Sequence, residues 1–456
     1  MYAIENPLYD RYRLVFLSSS RRRVFAEKLG HRYLLPRLSV PRWTRAAEQV
    51  QKAIESNWGF RGIVLDFLGE EPGGEGVVIV ELRDGVQMCA LPALQSWAAL
   101  SDIPRDELAG VERDAVETLL EDGQTGRGPF SRFGWIEYAQ WWIGDEFGID
   151  RQSLTSEIHQ LNAGANHALV RFGRKAEPPL WFKAVVDPSD REFDITKSLA
   201  SLVSEYLPRI VASREDWKAW CMEDAGRPLE ESFGIDSCSR TVHRLAELQI
   251  ASIDQAHSLL AIGCRDFRHT VLRARIPRMM ELVQEAMGHQ SSRFVPRFGA
   301  SRLRRLSARL EEACVALAKL NIPDALMHGD ISLDNILVGS QDCVFTDWAQ
   351  ASIGNPFVTF QRLYARIAQD LRAQSWLPRL VDTYRTSWQP ILSEARINRA
   401  LDLGQTAAAA VDLLNQCERL RQNPVHEFQT HSVLRAMARE LDRALDALEL
   451  NQSRCA

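Results

Sequence analysis

The stretch from Leu326 to Trp348 constrains this chain of 456 residues more than any other. It reads Leu326-Met327-His328-Gly329-Asp330-Ile331-Ser332-Leu333-Asp334-Asn335. The apolar run Ile336-Leu337-Val338, the turn Gly339 to Asp342, and a second apolar run Cys343-Val344-Phe345 then lead to Thr346-Asp347-Trp348. Two short apolar runs around a polar, glycine-containing turn read as a β-hairpin. The order is loop, strand, turn, strand, acid. Folding that hairpin brings Asp347 beside Asn335 and leaves Asp330 in the loop.

A carboxylate, an amide and a second carboxylate at this spacing suit phosphoryl transfer, which depends on positioning and charge neutralisation more than on covalent help from the protein. Asp330 is the candidate catalytic residue, orienting an attacking hydroxyl and accepting its proton. Asn335 and Asp347 are the candidate metal ligands, since Mg²⁺ takes a few hard oxygens and keeps several waters. A bland reading, with Asp330 capping a turn, Asn335 bonding the loop and Asp347 ending a strand, stays open, as does an inactive relative that kept the loop.

His-Gly-Asp followed by Asn335, then Asp347-Trp348 and Gly354-x-Pro356, resembles the aminoglycoside phosphotransferase and choline kinase-like family, which shares the protein-kinase fold. The resemblance covers roughly residues 135 to 390. It implies an α+β, two-lobed fold with a small β-rich lobe and a large helical lobe, ATP and Mg²⁺ as cofactors, and a small-molecule hydroxyl as phosphate acceptor. It also implies a structural role for His328, bonding the backbone.

Net charge and compartment narrow the setting. A net charge of -5 and a pI near 6.1 argue against a nucleic-acid partner, which calls for a basic surface. Arg21-Arg22-Arg23 is too short a run to change that. The amino terminus lacks the basic-then-apolar plan of a secretion signal, and no apolar run is long enough to suggest a membrane span. The eight cysteines are scattered without a C-x-x-C pair, so a reducing cytoplasm is expected.

Four regions are expected: an amino-terminal α+β module over 1–122, a linker over 123–132, a small lobe over 133–222 and a helical lobe over 223–456. In the module, Leu14–Leu17, Val24–Ala26, Tyr33–Leu35, Ile63–Leu65 and Val77–Val80 read as strands. Trp43 to Ser56 has helical spacing of apolar residues. This order is similar to Nudix-like domains, but the glutamate-rich box that binds metal in those hydrolases has no match before residue 133. The module is thus expected to bind a protein partner or to cover part of the catalytic domain.

In the small lobe, Leu161 to Val186 reads as two strands joined by a hairpin and preceded by a small-residue turn. Ala163-Gly164-Ala165-Asn166 resembles the phosphate-covering turn of the aminoglycoside kinases, making Gly164 and Asn166 candidate nucleotide contacts. Lys183 stands out because only seven of the 55 basic residues are lysines, and this one is set among Trp181, Phe182, Ala184 and Val185. A compact ammonium there suits the α- and β-phosphates. Glu192 shares a helix face with Ile195, Leu199 and Val203 and is the candidate partner of Lys183. The rival reading makes Ser189 and Glu192 a capping box. By resemblance, Met222, Glu223 and Asp224 form the connection whose backbone holds the adenine edge.

Beyond Cys238 the pattern is helical. Stretches at 242–251 and 303–320 precede Pro323, and segments 357–371, 376–390, 396–421 and 430–449 follow Pro356. The leading expectation is an ATP- and Mg²⁺-dependent phosphotransferase acting on a small-molecule hydroxyl. The alternative is a catalytically weak, nucleotide-binding regulatory protein of the same fold.

Overall fold

The computed structural model describes residues 9–18, 22–42, 45–69, 75–83, 95–122, 127–149, 154, 157–175, 177–187, 191–292, 294–340, 342–422 and 427–455. The chain is α+β and divides into two compact units. One comprises Met1–Phe193 and Arg209–Asp224, the other Asp194–Pro208 and Ala225–Ala456.

The first unit contains two sheets. Its larger sheet has seven strands, β1 (Tyr9–Leu17), β2 (Val24–Leu29), β3 (Arg32–Leu34), β4 (Arg37–Pro41), β5 (Gly62–Leu68), β6 (Glu75–Leu82) and β7 (Gln95–Ala98). The order is β3-β2-β1-β6-β5, with β4 paired to β1 and β7 to β2. β1 and β6 run parallel, so the chain must cross over between them, and helix α1 (Ala46–Trp58) lies in that crossover. Ala47, Val50 and Ile54 form its buried face, and Gly59 ends it at φ 67°, the left-handed conformation that glycine adopts without a Cβ clash. Trp43, expected to start this helix, lies outside the described residues.

Helices α2 (Gly110–Asp122) and α3 (Trp135–Phe147) precede the second sheet. It contains β8 (Ile158–Gly164), β9 (His167–Arg174), β10 (Glu177–Val185), β11 (Ile210–Arg214) and β12 (Ala219–Glu223), ordered β11-β12-β10-β9-β8. One apolar core runs through the whole unit, from Val15, Leu65 and Ile79 through Phe130, Trp135 and Ile143 to Val170, Phe172 and Phe182. The stretch expected as a separate module and the one expected as the small lobe therefore belong to one unit, because each supplies the apolar face that the other buries. Residues 123–126 of the expected linker lie outside the described residues.

A buried side chain ties the two sheets together. The β5–β6 register shifts between Val64 and Asp66, and the β8–β9 register shifts between Gln160 and Asn162. Gln160 is fully buried; its Oε1 accepts from the Val64 N–H at 2.7 Å and its Nε2 donates to the Val64 carbonyl at 3.0 Å. The Val64 backbone thus keeps both polar groups satisfied, and at the β8 irregularity the Gln160 N–H donates to Gln51 Oε1 at 2.9 Å.

The second unit is mainly helical. Helix α4 (Glu192–Leu202) belongs to it from Asp194 onward. It holds β13 (Arg227–Pro228), α5 (Ile235–Ala251), α6 (Ala256–Ala261), β14 (Arg265–Phe267), α7 (His269–Gly288), α8 (Ala300–Lys319), β15 (Ala325–Met327), β16 (Ile336–Val338), β17 (Cys343–Phe345) and β18 (Ser352–Gly354). Helices α9 (Phe357–Ile367), α10 (Leu377–Trp388), α11 (Glu394–Gln422) and α12 (Glu427–Cys455) complete it. The last four match the four periodic segments expected after Pro356. α7, which carries Pro277 in its interior, and the short β14 were not anticipated.

Two three-stranded sheets, β13-β16-β17 and β14-β18-β15, sit among these helices. β16 and β17 form the expected hairpin, with Ile336 opposite Phe345 and Val338 opposite Cys343. Among the described residues, no helix is long and apolar enough to cross a membrane.

Candidate active site

The loop between β15 and β16 begins at a buried histidine. His328 is 2% exposed, its Nε2 lies 2.7 Å from the Thr346 carbonyl, and the Asp330 N–H donates to its Nδ1 at 3.3 Å. Those two contacts fit one neutral tautomer, with the proton on Nε2. Burial accordingly pushes the imidazole below its ordinary range. The ring also lies 4.5 Å from that of Trp348. His328 therefore bolts the backbone of Asp330 to the turn that carries Asp347.

Asn335 closes the loop from its other end. Its Nδ2 donates to the Asp330 carbonyl at 3.0 Å, while its own carbonyl accepts from the Thr346 N–H at 2.9 Å. With the amide nitrogen committed to Asp330, Oδ1 is the end left to accept or to ligate. Asp347, directly after Thr346, has φ 65° and ψ 67°, a left-handed conformation that side chains other than glycine seldom adopt. Strain of this kind persists where the surroundings enforce it. Asp330 is exposed, and its carboxylate makes no hydrogen bond among the described residues. The structure thus joins the three residues singled out from the sequence in one hydrogen-bonded frame.

Gly329 is required by close approach. A Cβ there would fall on the Gln350 carbonyl, so a larger residue would force the loop and the Trp348–Gln350 turn apart. Arg362, on α9, donates to the Gly329 carbonyl at 3.3 Å and is itself paired with Asp412 on α11. Sequence reasoning missed Arg362, because an arginine on a helix face looks like any solvated cation.

In the first unit, the Lys183 Nζ lies 2.5 Å from Glu192 Oε1, and the two side chains are 16% and 3% exposed. Lys183 stands opposite Leu169 on β9 and Trp220 on β12. Glu192 thus meets the lysine expected to be its partner. Ser189, the other half of the rival capping box, lies outside the described residues.

The β8–β9 turn is tight, with Gly164 paired to His167 across Ala165 and Asn166. Gly164 is buried and Asn166 exposed. The Ala165 carbonyl accepts from the Phe130 N–H at 3.2 Å, and a Cβ on Gly128 would fall on that carbonyl. Asp66 on β5 takes a hydrogen bond from the Ala165 backbone and pairs with Arg127 at 3.2 Å. The turn singled out for phosphates is therefore clamped by residues that precede the small lobe in sequence, a brace the turn's own composition did not signal.

Met222 and Glu223 are the last two residues of β12, opposite Trp181 and Leu180. The Asp224 carboxylate accepts from Trp181 Nε1 at 2.7 Å. The division between the two units falls directly after Asp224.

Comparison with known proteins finds a family model that matches part of the chain. Residues 174–397 match the model of a phosphotransferase enzyme family, APH. That segment includes Lys183, Glu192, Asp330, Asn335 and Asp347. No curated protein matches the chain.

Solved structures with similar folds include an ethanolamine kinase of Plasmodium vivax, 13% identical, covering 72% of this chain and 94% of its own, with a TM-score of 0.47. A choline/ethanolamine kinase family protein of Mesorhizobium loti is 14% identical, covering 69% and 99%, with a TM-score of 0.39. A macrolide 2'-phosphotransferase of Brachybacterium faecium is 12% identical, covering 68% and 97%, with a TM-score of 0.41. The family match begins at residue 174, and nothing found supports the Nudix-like likeness expected for the amino-terminal stretch.

Proposed function

We propose that the chain is an ATP- and Mg²⁺-dependent phosphotransferase with a kinase-like fold that phosphorylates a hydroxyl of a small molecule such as an amino sugar or amino alcohol. The observation that carries this reading is the frame in which His328 and Asn335 tie the Asp330 backbone to the Thr346–Asp347 turn. The family match over 174–397 supports it.

The donor set fits the metal. An amide oxygen and a carboxylate are hard ligands, the kind Mg²⁺ prefers over imidazole or thiolate. Asn335 would offer Oδ1 and Asp347 its carboxylate. When bound, the ion supplies positive charge beside the phosphate oxygens, as in phosphoryl transfer generally. The protein does the rest. The Asp330 carboxylate orients the acceptor hydroxyl and takes its proton as the new P–O bond forms. Lys183 neutralises phosphate charge, and Glu192 holds its ammonium in one place. Gly164 and Asn166 cover the phosphates with backbone, and the Met222–Asp224 backbone holds the base.

The described cysteines Cys221, Cys238, Cys264, Cys314, Cys343 and Cys417 are buried and unpaired, which suits work in a reducing cytoplasm. The test is turnover of Mg-ATP with a panel of amino sugars and amino alcohols. Wild type is expected to yield ADP and a phosphorylated acceptor. Asp330→Ala is expected to lose about 10³-fold in rate while still binding nucleotide. Equal turnover by the variant would refute the assignment.

A further inference from the structure

The residues that lead into β15 close one side of a cavity of about 310 Å³ in the second unit, a volume at the small end of ligand pockets. Its walls combine the apolar side chains of Phe267, Leu272, Leu317 and Val358 with the polar ones of His269, Asn321 and Asn355. Asp324 also lines it. Asp324 and Asp330 flank opposite ends of β15, so this cavity and the loop described above are different places in the fold.

Asp324 is half-buried, and no hydrogen-bond donor among the described residues reaches its carboxylate. Two basic groups act on it without bonding it: His269, which lines the same cavity, and Arg268, which is already committed. Arg268 Nε and Nη2 bind the two oxygens of Asp266 at 3.0 and 2.7 Å, so that pair is close to neutral. Arg396, near the rim, is spent on the carbonyls of Leu320 and Asn321 at 2.7 and 2.5 Å. The Asn321 backbone there is left-handed, with φ 45°, so the rim is held in a conformation costly for a non-glycine residue. Burial raises the Asp324 carboxyl above its ordinary range, more than the charges of His269 and Arg268 lower it. A partly desolvated carboxylate that lacks a hydrogen-bond donor and has apolar side chains in the same cavity is stabilised by a donor that brings positive charge and carries its own apolar body.

We propose that this cavity is a binding site for a small molecule with a single ammonium group, the cation against Asp324 and the carbon skeleton on Phe267, Leu272 and Val358. It is independent of the nucleotide chemistry, so failure of one reading leaves the other standing.

The experiment uses the full chain with butylamine as probe, 1-butanol as its neutral counterpart, and no nucleotide. Titration calorimetry is expected to detect butylamine binding, with 1-butanol weaker by at least about tenfold. Asp324→Asn is expected to weaken butylamine by about tenfold or more while leaving 1-butanol unchanged. In methyl-labelled wild type, butylamine is expected to give intermolecular contacts to the Val358 and Val411 methyls, a readout that needs no variant. Absence of butylamine binding at about 10 mM, equal affinity for the alcohol, or contacts that avoid both valines would each overturn the proposal.

Discussion

The two regions that carry the candidate chemistry are held in place by opposite means. In the first unit, Lys183 is held by a nearly buried charge partner, Glu192, on a sheet that packs aromatic rings into the core. In the second, Asp330 is exposed, and backbone hydrogen bonds through His328 and Asn335 do the positioning. A lysine whose task is to sit still tolerates a tight partner. An acid that must exchange a proton with a substrate cannot be consumed by one, so its main chain is held and its carboxylate is left to the solvent side. Substitutions in the first region should therefore cost stability and nucleotide affinity together, and those in the second should cost turnover with little loss of fold.

The largest expected effect lies in the loop. Asp347→Gly relieves the left-handed strain and removes the carboxylate, so turnover should fall about 10³-fold with melting unchanged or slightly raised. Steady-state kinetics beside calorimetry checks this, and a variant that is both inactive and unfolded would erase the contrast.

Glu192→Gln should act on both quantities. Leaving Lys183 beside an amide in a mostly buried setting should cost about 2 kcal/mol, a value reduced from that of a fully buried pair because Lys183 keeps some solvent. The KM for ATP should rise about tenfold. Chemical denaturation and an ATP titration read the two separately.

Gln160→Leu is a purely structural probe of the first region. It strands the N–H and carbonyl of Val64 in the core and should cost about 2 kcal/mol, with nucleotide affinity altered only as far as the β8–β9 turn shifts.

The smallest effect concerns pH. His328 is held below its unfolded value of 6.5 by burial, so the unfolded chain binds more protons than the folded one as pH drops. Its neutral form thus contributes stability that is complete above about pH 6.5 and is lost on acidification below that point. His328→Gln should flatten this acid-side slope in a series of melts, and an unchanged slope would assign the titration elsewhere.

How much of this was legible in the sequence depended on distance along the chain. Asp330, Asn335 and Asp347 could be read because five residues of loop and one short hairpin fix their relations locally. Lys183 and Glu192 could be read because a lone lysine in an apolar strand and an acid on a helix's apolar face each break a local rule. Partners far off in sequence could not be read. Gln160 satisfies a backbone 96 residues away, and Arg362 reaches Gly329 from a helix 33 residues later, yet as types both look like ordinary polar residues. The amino-terminal strands were visible from their period, but periodicity marks which face is apolar and not what covers it. The shared core of the first unit was invisible for that reason.

The central claim is that Asp330 serves as the base for transfer of the ATP γ-phosphoryl group to an alcohol. Phosphorus NMR of Mg-ATP incubated with the full chain and a pooled metabolite extract follows that transfer directly. Wild type should convert the γ signal into one new phosphomonoester resonance, and Asp330→Asn, folded to the same melting temperature, should not. The same new resonance from both proteins at the same rate would contradict it.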